Sequence, residues 1–236
     1  MPIHSLLLVL VCVAGPWSAI PAADTVDEAS LLDRIIAAQQ GIERMTATLR
    51  YEVHDLKEPD GRVNAQQVRA WLRMPRSYYL IMKPFKADGS LEERKAYFMS
   101  DGETIWQGER ELAEMEVDVF KPKPVDPEEN DLGSYVALLK LGRGELAERF
   151  AMTAETLPDD VERSHPEAVH RVTLKPQTAA LQKHIAQVLI EVDAALQTVA
   201  IAIDDTKENR TILRIEAVDT EVPLPEDIFV WKFGEP

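Results

Sequence analysis

The side chains able to bind a metal or move a proton are few and scattered. Beyond His4, the histidines are His54, His165, His170 and His184. His165 and His170 are close in sequence, but His165 precedes Pro166, and their spacing matches none of the usual zinc patterns. The acidic run Asp126, Glu128, Glu129 and Asp131 lacks the glycine and the spacing of a calcium loop, so it reads as a solvated loop. There is no Gly-x-Ser-x-Gly elbow and no phosphate-cradling glycine loop. The one cysteine, Cys12, lies in the N-terminal apolar run. Once that run is removed, disulfides and thiol catalysis are excluded. Asn209-Arg210-Thr211 matches a glycosylation acceptor, but the match is common by chance and falls in a short hairpin. This inventory predicts a protein that is not an enzyme and holds no metal and no cofactor.

The ends and the charge say where such a chain works. Leu6 to Ala14 is uncharged and apolar, the right length for the core of a signal peptide and short of the ~20 residues that span a membrane. Gly15 and Pro16 break it, and small residues follow at Ser18, Ala19, Ala22 and Ala23, although the leading Met1-Pro2-Ile3-His4 carries no Lys or Arg. The expectation is a signal peptide over residues 1–23, a mature domain over residues 24–236 and a periplasmic location. The net charge of −15 therefore belongs to the mature domain. A surface so negative repels phosphate backbones and anionic lipid headgroups, which excludes nucleic acid as a partner.

Elements follow from periodicity. Thr25-Val26-Asp27-Glu28 reads as a capping box, and Leu31, Leu32, Ile35, Ile36, Ile42 and Met45 recur at helical spacing, so a helix is predicted up to the β-rich run near Ala47. From there the period is two. Leu49, Tyr51 and Val53 alternate with Arg50 and Glu52, and Val68, Ala70, Leu72 and Met74 alternate with Arg69, Trp71 and Arg73. Tyr78 to Met82, Ala96 to Met99 and Thr104 to Trp106 continue the sheet. An acidic, proline-rich loop follows, then short helices over Leu132 to Leu141 and Glu145 to Phe150. Strands return at Val169 to Leu174, Val188 to Val192, Val199 to Ile203 and Thr211 to Val218. The predicted class is α+β, mostly β, in an antiparallel sheet with one dry and one wet face.

The dry face is the one surface that offers chemistry, either as a packed core or as the wall of a cavity. Leu49, Tyr51, Val53, Val68, Ala70, Leu72, Met74, Tyr78, Leu80 and Met82 line it, and methionine suits walls that adapt to varied apolar ligands. Leu132, Tyr135, Val136 and Leu139 share a helical face with Gly133 and Gly142 near its ends and are predicted to act as a lid. Arg50, Glu52, Arg69 and Arg73 are expected to face solvent.

Several local motifs, in order along nearly the whole mature chain, resemble the LolA family of periplasmic lipoprotein carriers. They are Gly41-Ile42-Glu43-Arg44-Met45, Trp71-Leu72-Arg73-Met74-Pro75-Arg76-Ser77-Tyr78-Tyr79, Ser100-Asp101-Gly102-Glu103-Thr104-Ile105-Trp106, Ile190-Glu191-Val192-Asp193, Arg210-Thr211 and Pro225-Glu226-Asp227-Ile228-Phe229. The resemblance implies an unclosed antiparallel β-barrel of about eleven strands with helices at its mouth. It also implies a monomeric carrier that binds acylated lipoproteins or another lipid and moves them between inner and outer membranes. Its partners would be an inner-membrane ABC-type release complex and an outer-membrane acceptor. One departure is Met74, which stands where family members carry an arginine that latches the lid. The same half-barrel also implies an alternative, an envelope sensor acting on a membrane protein.

Overall fold

In a computed structural model, the described residues are 28–39, 43–58, 61–73, 77–101, 104–110, 123–124, 147–225 and 227–230. The chain opens with α1 (Glu28–Gln39). It continues through β1 (Arg44–Asp55), β2 (Arg62–Arg73), β3 (Ser77–Pro84), β4 (Lys95–Asp101), β5 (Thr104–Arg110) and a two-residue β6 (Lys123–Pro124). After the connection come β7 (Phe150–Thr156), β8 (His170–Pro176), α2 (Ala179–Gln182), β9 (Ile185–Val192), β10 (Thr198–Asp205) and β11 (Asn209–Asp219).

These form one 11-stranded sheet in the order β6-β5-β4-β3-β2-β1-β11-β10-β9-β8-β7. Every pairing is antiparallel, and β6 and β7 are the two ends of the order, so the sheet is an unclosed barrel with one N-terminal helix against it. This is the predicted class. The chain runs outward from β1 as one meander and, after β6, runs back from the far edge as a second. The meanders are joined where β1 pairs with β11, with a register shift between Thr48 and Leu49.

Tight turns keep the hairpins short. At the β1–β2 turn a Cβ on Gly61 would lie 2.7 Å from the Asp55 carbonyl oxygen, so the backbone there approaches too closely for a side chain. Asp101 Oδ1 accepts the Thr104 N–H at 2.8 Å across the β4–β5 turn.

The register places Met45, Ala47, Leu49, Tyr51 and Val53 on one face, opposite Leu72, Ala70, Val68, Gln66 and Asn64. Leu80, Phe98, Leu213, Ile201, Ile190 and Val172 continue that face along the sheet. It is the concave side. Leu31, Leu32 and Ile35 of α1 join it in a single apolar cluster.

Three expectations change. Met45 is not helical: it pairs with Leu72 in the sheet and is wholly buried, because cross-strand packing outweighs helical spacing in a short segment. Phe150 does not end a helix but opens β7, a strand whose apolar alternation is too weak to read in advance. Glu52 faces away from the apolar side, as expected, but is buried rather than solvated. The predicted lid residues Leu132, Tyr135, Val136 and Leu139, and Met74, lie outside the described residues.

Leu80 is fully buried at the middle of this face. Leu80→Ala is expected to cost about 3 kcal/mol of stability through lost burial and the cavity left behind. Urea unfolding of the two proteins measures it.

Candidate functional site: two faces of one sheet

The concave face carries the residues that the sequence singled out. Leu49, Val68, Ala70, Leu72, Leu80 and Met82 are at most 1% exposed, Tyr51 and Tyr78 are buried, and Val53 is half-buried at the rim. They come together as one wall because each lies at a two-residue period on neighbouring strands. Burial pushes the Tyr51 hydroxyl up to about 12, with a hydrogen bond to Thr211 working the other way, so it stays neutral and adds no charge to this wall. Such a face can bury apolar surface and exclude ions.

The convex face is different in each half. Over β1 and β8–β11 it holds buried charge. Arg50 Nε donates to Glu52 Oε1 at 2.9 Å, Arg214 Nη1 donates to Glu52 Oε2, and His54 Nε2 lies 3.4 Å from Glu52 Oε2. Burial alone would raise the Glu52 pKa, but the hydrogen bonds and charges of Arg214 and Arg50 outweigh it and hold the carboxyl at about 2. Asp204 is bound by Arg210 at 2.6 and 2.9 Å and by Gln187 at 2.7 Å. Its burial is likewise outweighed, which lowers its pKa.

Glu191 accepts the N–H groups of Ser164 and His165, each at 3.0 Å, and Arg171 Nη2 at 2.7 Å. Arg214 Nε also donates to Ser164 O at 2.6 Å. Together these pin the loop between β7 and β8 onto the back of the sheet. There Leu157, Val161, Ala168 and Val199 form a small second core.

Over β2–β5 the convex face is aromatic. The Trp71 and Tyr79 rings stack at 5.4 Å with 29° between their planes, and Tyr97 and Met99 are buried beside them. The segment after β11 returns to this side, with the Arg73 guanidinium 4.8 Å from the centre of the buried Phe229 ring. Between that segment and β1, β2 and β11 lies an open cleft of about 420 Å³. It is lined by Thr46, Thr48, Arg69, Trp71, Ala217, Val218, Asp219 and Val222, among others.

The residues first weighed for chemistry do not assemble. His170 Nδ1 lies 3.0 Å from Thr156 Oγ1, while His165 Nδ1 accepts the Glu167 N–H. Among the described residues no group of three or more His, Cys, Asp or Glu side chains is placed to hold a metal ion. The Asn209 amide donates to Asp205 Oδ2 at 2.9 Å inside its hairpin. Among the described residues no helix is long and apolar enough to cross a membrane. The buried carboxylates and the convex cleft were missed. The one available signal was Glu191 inside the apolar run Ile190-Glu191-Val192, since a charge there requires a buried partner.

Neither the protein-family models nor the curated proteins compared with this chain include a match. Solved structures similar to it include MucB, at 14% identity and a TM-score of 0.42 over 89% of this chain. A LolA superfamily protein from Nitrosomonas europaea is similar at 10% identity and 0.43, over 88% of this chain and 99% of that one. Lipoprotein LppX from Mycobacterium tuberculosis is similar at 13% identity and 0.37, over 80% and 96%. The chain spans 64% of the length of MucB. At these TM-scores the likeness adds no argument, and the fold class rests on strand order and register.

The Glu52 pair sets an acid limit. Its folded pKa lies below the ordinary value of 4.5, so the stabilisation is present above that value and is lost as pH falls from there toward about 2. The shift corresponds to ~3 kcal/mol. Because Arg50 and Arg214 remain partly in water, a contribution of about 2 kcal/mol is expected. Glu52→Gln should remove most of the difference in urea midpoint between pH 6 and pH 3 that this residue contributes, read against the parent protein.

Proposed function

We propose that this protein is a periplasmic, non-catalytic carrier that shelters the acyl chains of a lipoprotein or another lipid on the concave face of its unclosed barrel. The observation that supports this most is one cluster of buried apolar side chains that runs across the concave face of a sheet whose strand order ends at β6 and β7. Each methylene left in water costs roughly 0.8 kcal/mol, so a lipid anchor crosses an aqueous space only when buried, and a closed barrel would hinder its release. Met45, Met82 and Met152 on or against this wall supply side chains that repack around different chains.

The sequence resemblance to the LolA carriers points the same way. In this reading the connection between Pro124 and Phe150, which joins the two edges, contains the lid residues Leu132, Tyr135, Val136 and Leu139. Its loading and unloading partners are an inner-membrane release complex and an outer-membrane acceptor.

The purified, folded protein is expected to carry acyl-chain lipids or lipoproteins that native and denaturing mass spectrometry identify. It should also take up an apolar fluorophore that a long-chain fatty acid displaces. Leu72→Glu places a charge on the wall at a cost in stability, and the fraction that circular dichroism shows folded is expected to take up dye at least tenfold more weakly than the parent. Fully folded parent protein that holds no acyl chain and binds no dye would leave the concave face as an ordinary packed core.

A further inference from the structure

We propose that the cleft on the convex face, opposite the lipid wall, binds a phosphoethanolamine-type headgroup, with its phosphoryl group at Arg69 and Thr48 and its ammonium between Trp71 and Asp219. The register sets these groups out in two adjacent cross-strand rows on β2, β1 and β11. One row reads Arg69, Thr48, Ala217, and the next reads Trp71, Thr46, Asp219. Rows on the same face are about 7 Å apart, and the row ends, two strands apart, are separated by about 10 Å. The floor is low because Thr46, Thr48 and Ala217 are small. The walls are tall because Trp71 is braced on Tyr79, and Val222 of the segment after β11 stands opposite.

The two ends carry opposite charge. Arg69 is exposed, and its guanidinium has no hydrogen bond or ion pair among the described residues. Asp219 Oδ1 accepts the Glu221 N–H at 2.9 Å, which fixes the carboxylate beside the cleft. A simple anion would satisfy Arg69 but meet Asp219, and a simple cation would do the reverse. A phosphoryl group and an ammonium joined by a two-carbon link satisfy both, with the link against the indole and Val222. Charge-assisted hydrogen bonds and the attraction of an ammonium to an indole face supply the recognition. The net charge of −15 fits a zwitterionic ligand, since it repels purely anionic headgroups.

O-phosphoethanolamine titrated into the purified protein, followed by heteronuclear NMR, tests this. Saturable shifts at residues around the cleft are expected at millimolar concentration. Arg69→Gln should weaken binding of both O-phosphoethanolamine and glycerol 3-phosphate about tenfold. Asp219→Asn should weaken only O-phosphoethanolamine and leave glycerol 3-phosphate equal or tighter. Both side chains are exposed, so neither change threatens the fold.

Co-sedimentation with phosphatidylcholine vesicles, with and without phosphatidylethanolamine, then separates a membrane source of the headgroup from a free one. No saturable shift, or shifts indifferent to Arg69→Gln, or equal losses for both ligands in Asp219→Asn, would overturn the proposal. Leu72→Glu should leave headgroup binding unchanged, so failure of the carrier reading and failure of this one are told apart.

Discussion

The pairing of β1 with β11 is the contact on which the rest of the sheet depends. It joins strands from opposite ends of the described chain, Arg44–Asp55 with Asn209–Asp219, in antiparallel register over most of their length. Without it there are two meanders, each with a half-width apolar face and two open edges. With it there is one curved sheet and a continuous concave wall. Closing so long a loop carries an entropic cost that local hairpins do not, so other interactions must reinforce the seam. The Glu52–Arg214 bond does so from the back, spanning β1 and β11, and Tyr51 and Leu213 do so from the front.

How much of this was legible follows from the same contact. Alternation in Leu49-Arg50-Tyr51-Glu52-Val53 and in Val68 to Leu72 is a local property, and it assigned the faces correctly. Strand order is not local, and the residues of the resemblance, not periodicity, suggested an unclosed barrel. Glu52 shows where local reading stops. Its side chain points outward as its period requires, yet whether outward means wet depends on Arg214, whose sequence position lies far from it. Met45 fits a helical period and a strand period equally well, and only its partner Leu72 decides between them. The convex cleft was invisible for the same reason, since Arg69, Thr48 and Asp219 meet only once β2, β1 and β11 are in register.

The buried carboxylates of the convex face are structural groups. Glu191 is 1% exposed, and a lone charge at such depth would cost several kcal/mol. Here it accepts two backbone N–H groups and an arginine, so it acts as the anchor that a long loop needs to lie flat on a sheet. Arg163 completes the arrangement by donating to the carbonyls of Ala168, Leu157 and Pro158. An apolar loop of the same length would cover the sheet as well, but hydrogen bonds fix which residue of the loop sits over which strand.

In the proposed carrier, the two faces would divide the physical problem of moving an apolar ligand through water near membranes. The buried apolar cluster of the concave wall would discriminate by size and apolarity, which are non-directional and do not by themselves specify where cargo is taken up or given away. Address information has to come from polar, directional contacts, and the buried carboxylates Glu52, Glu191 and Asp204 and the convex cleft lie on the other side of the sheet. A protein with a net charge of −15 gains no help from long-range attraction to an anionic bilayer. Its contacts with such surfaces must be short-range and chemically matched. The convex cleft offers opposite charges about 12 Å apart at the backbone, one row along and two strands across, a spacing that their side chains shorten and at which they act on one headgroup rather than on a whole surface. The cleft's floor strands β1, β2 and β11 also form the centre of the concave wall, so the two faces share one scaffold while their side chains point apart.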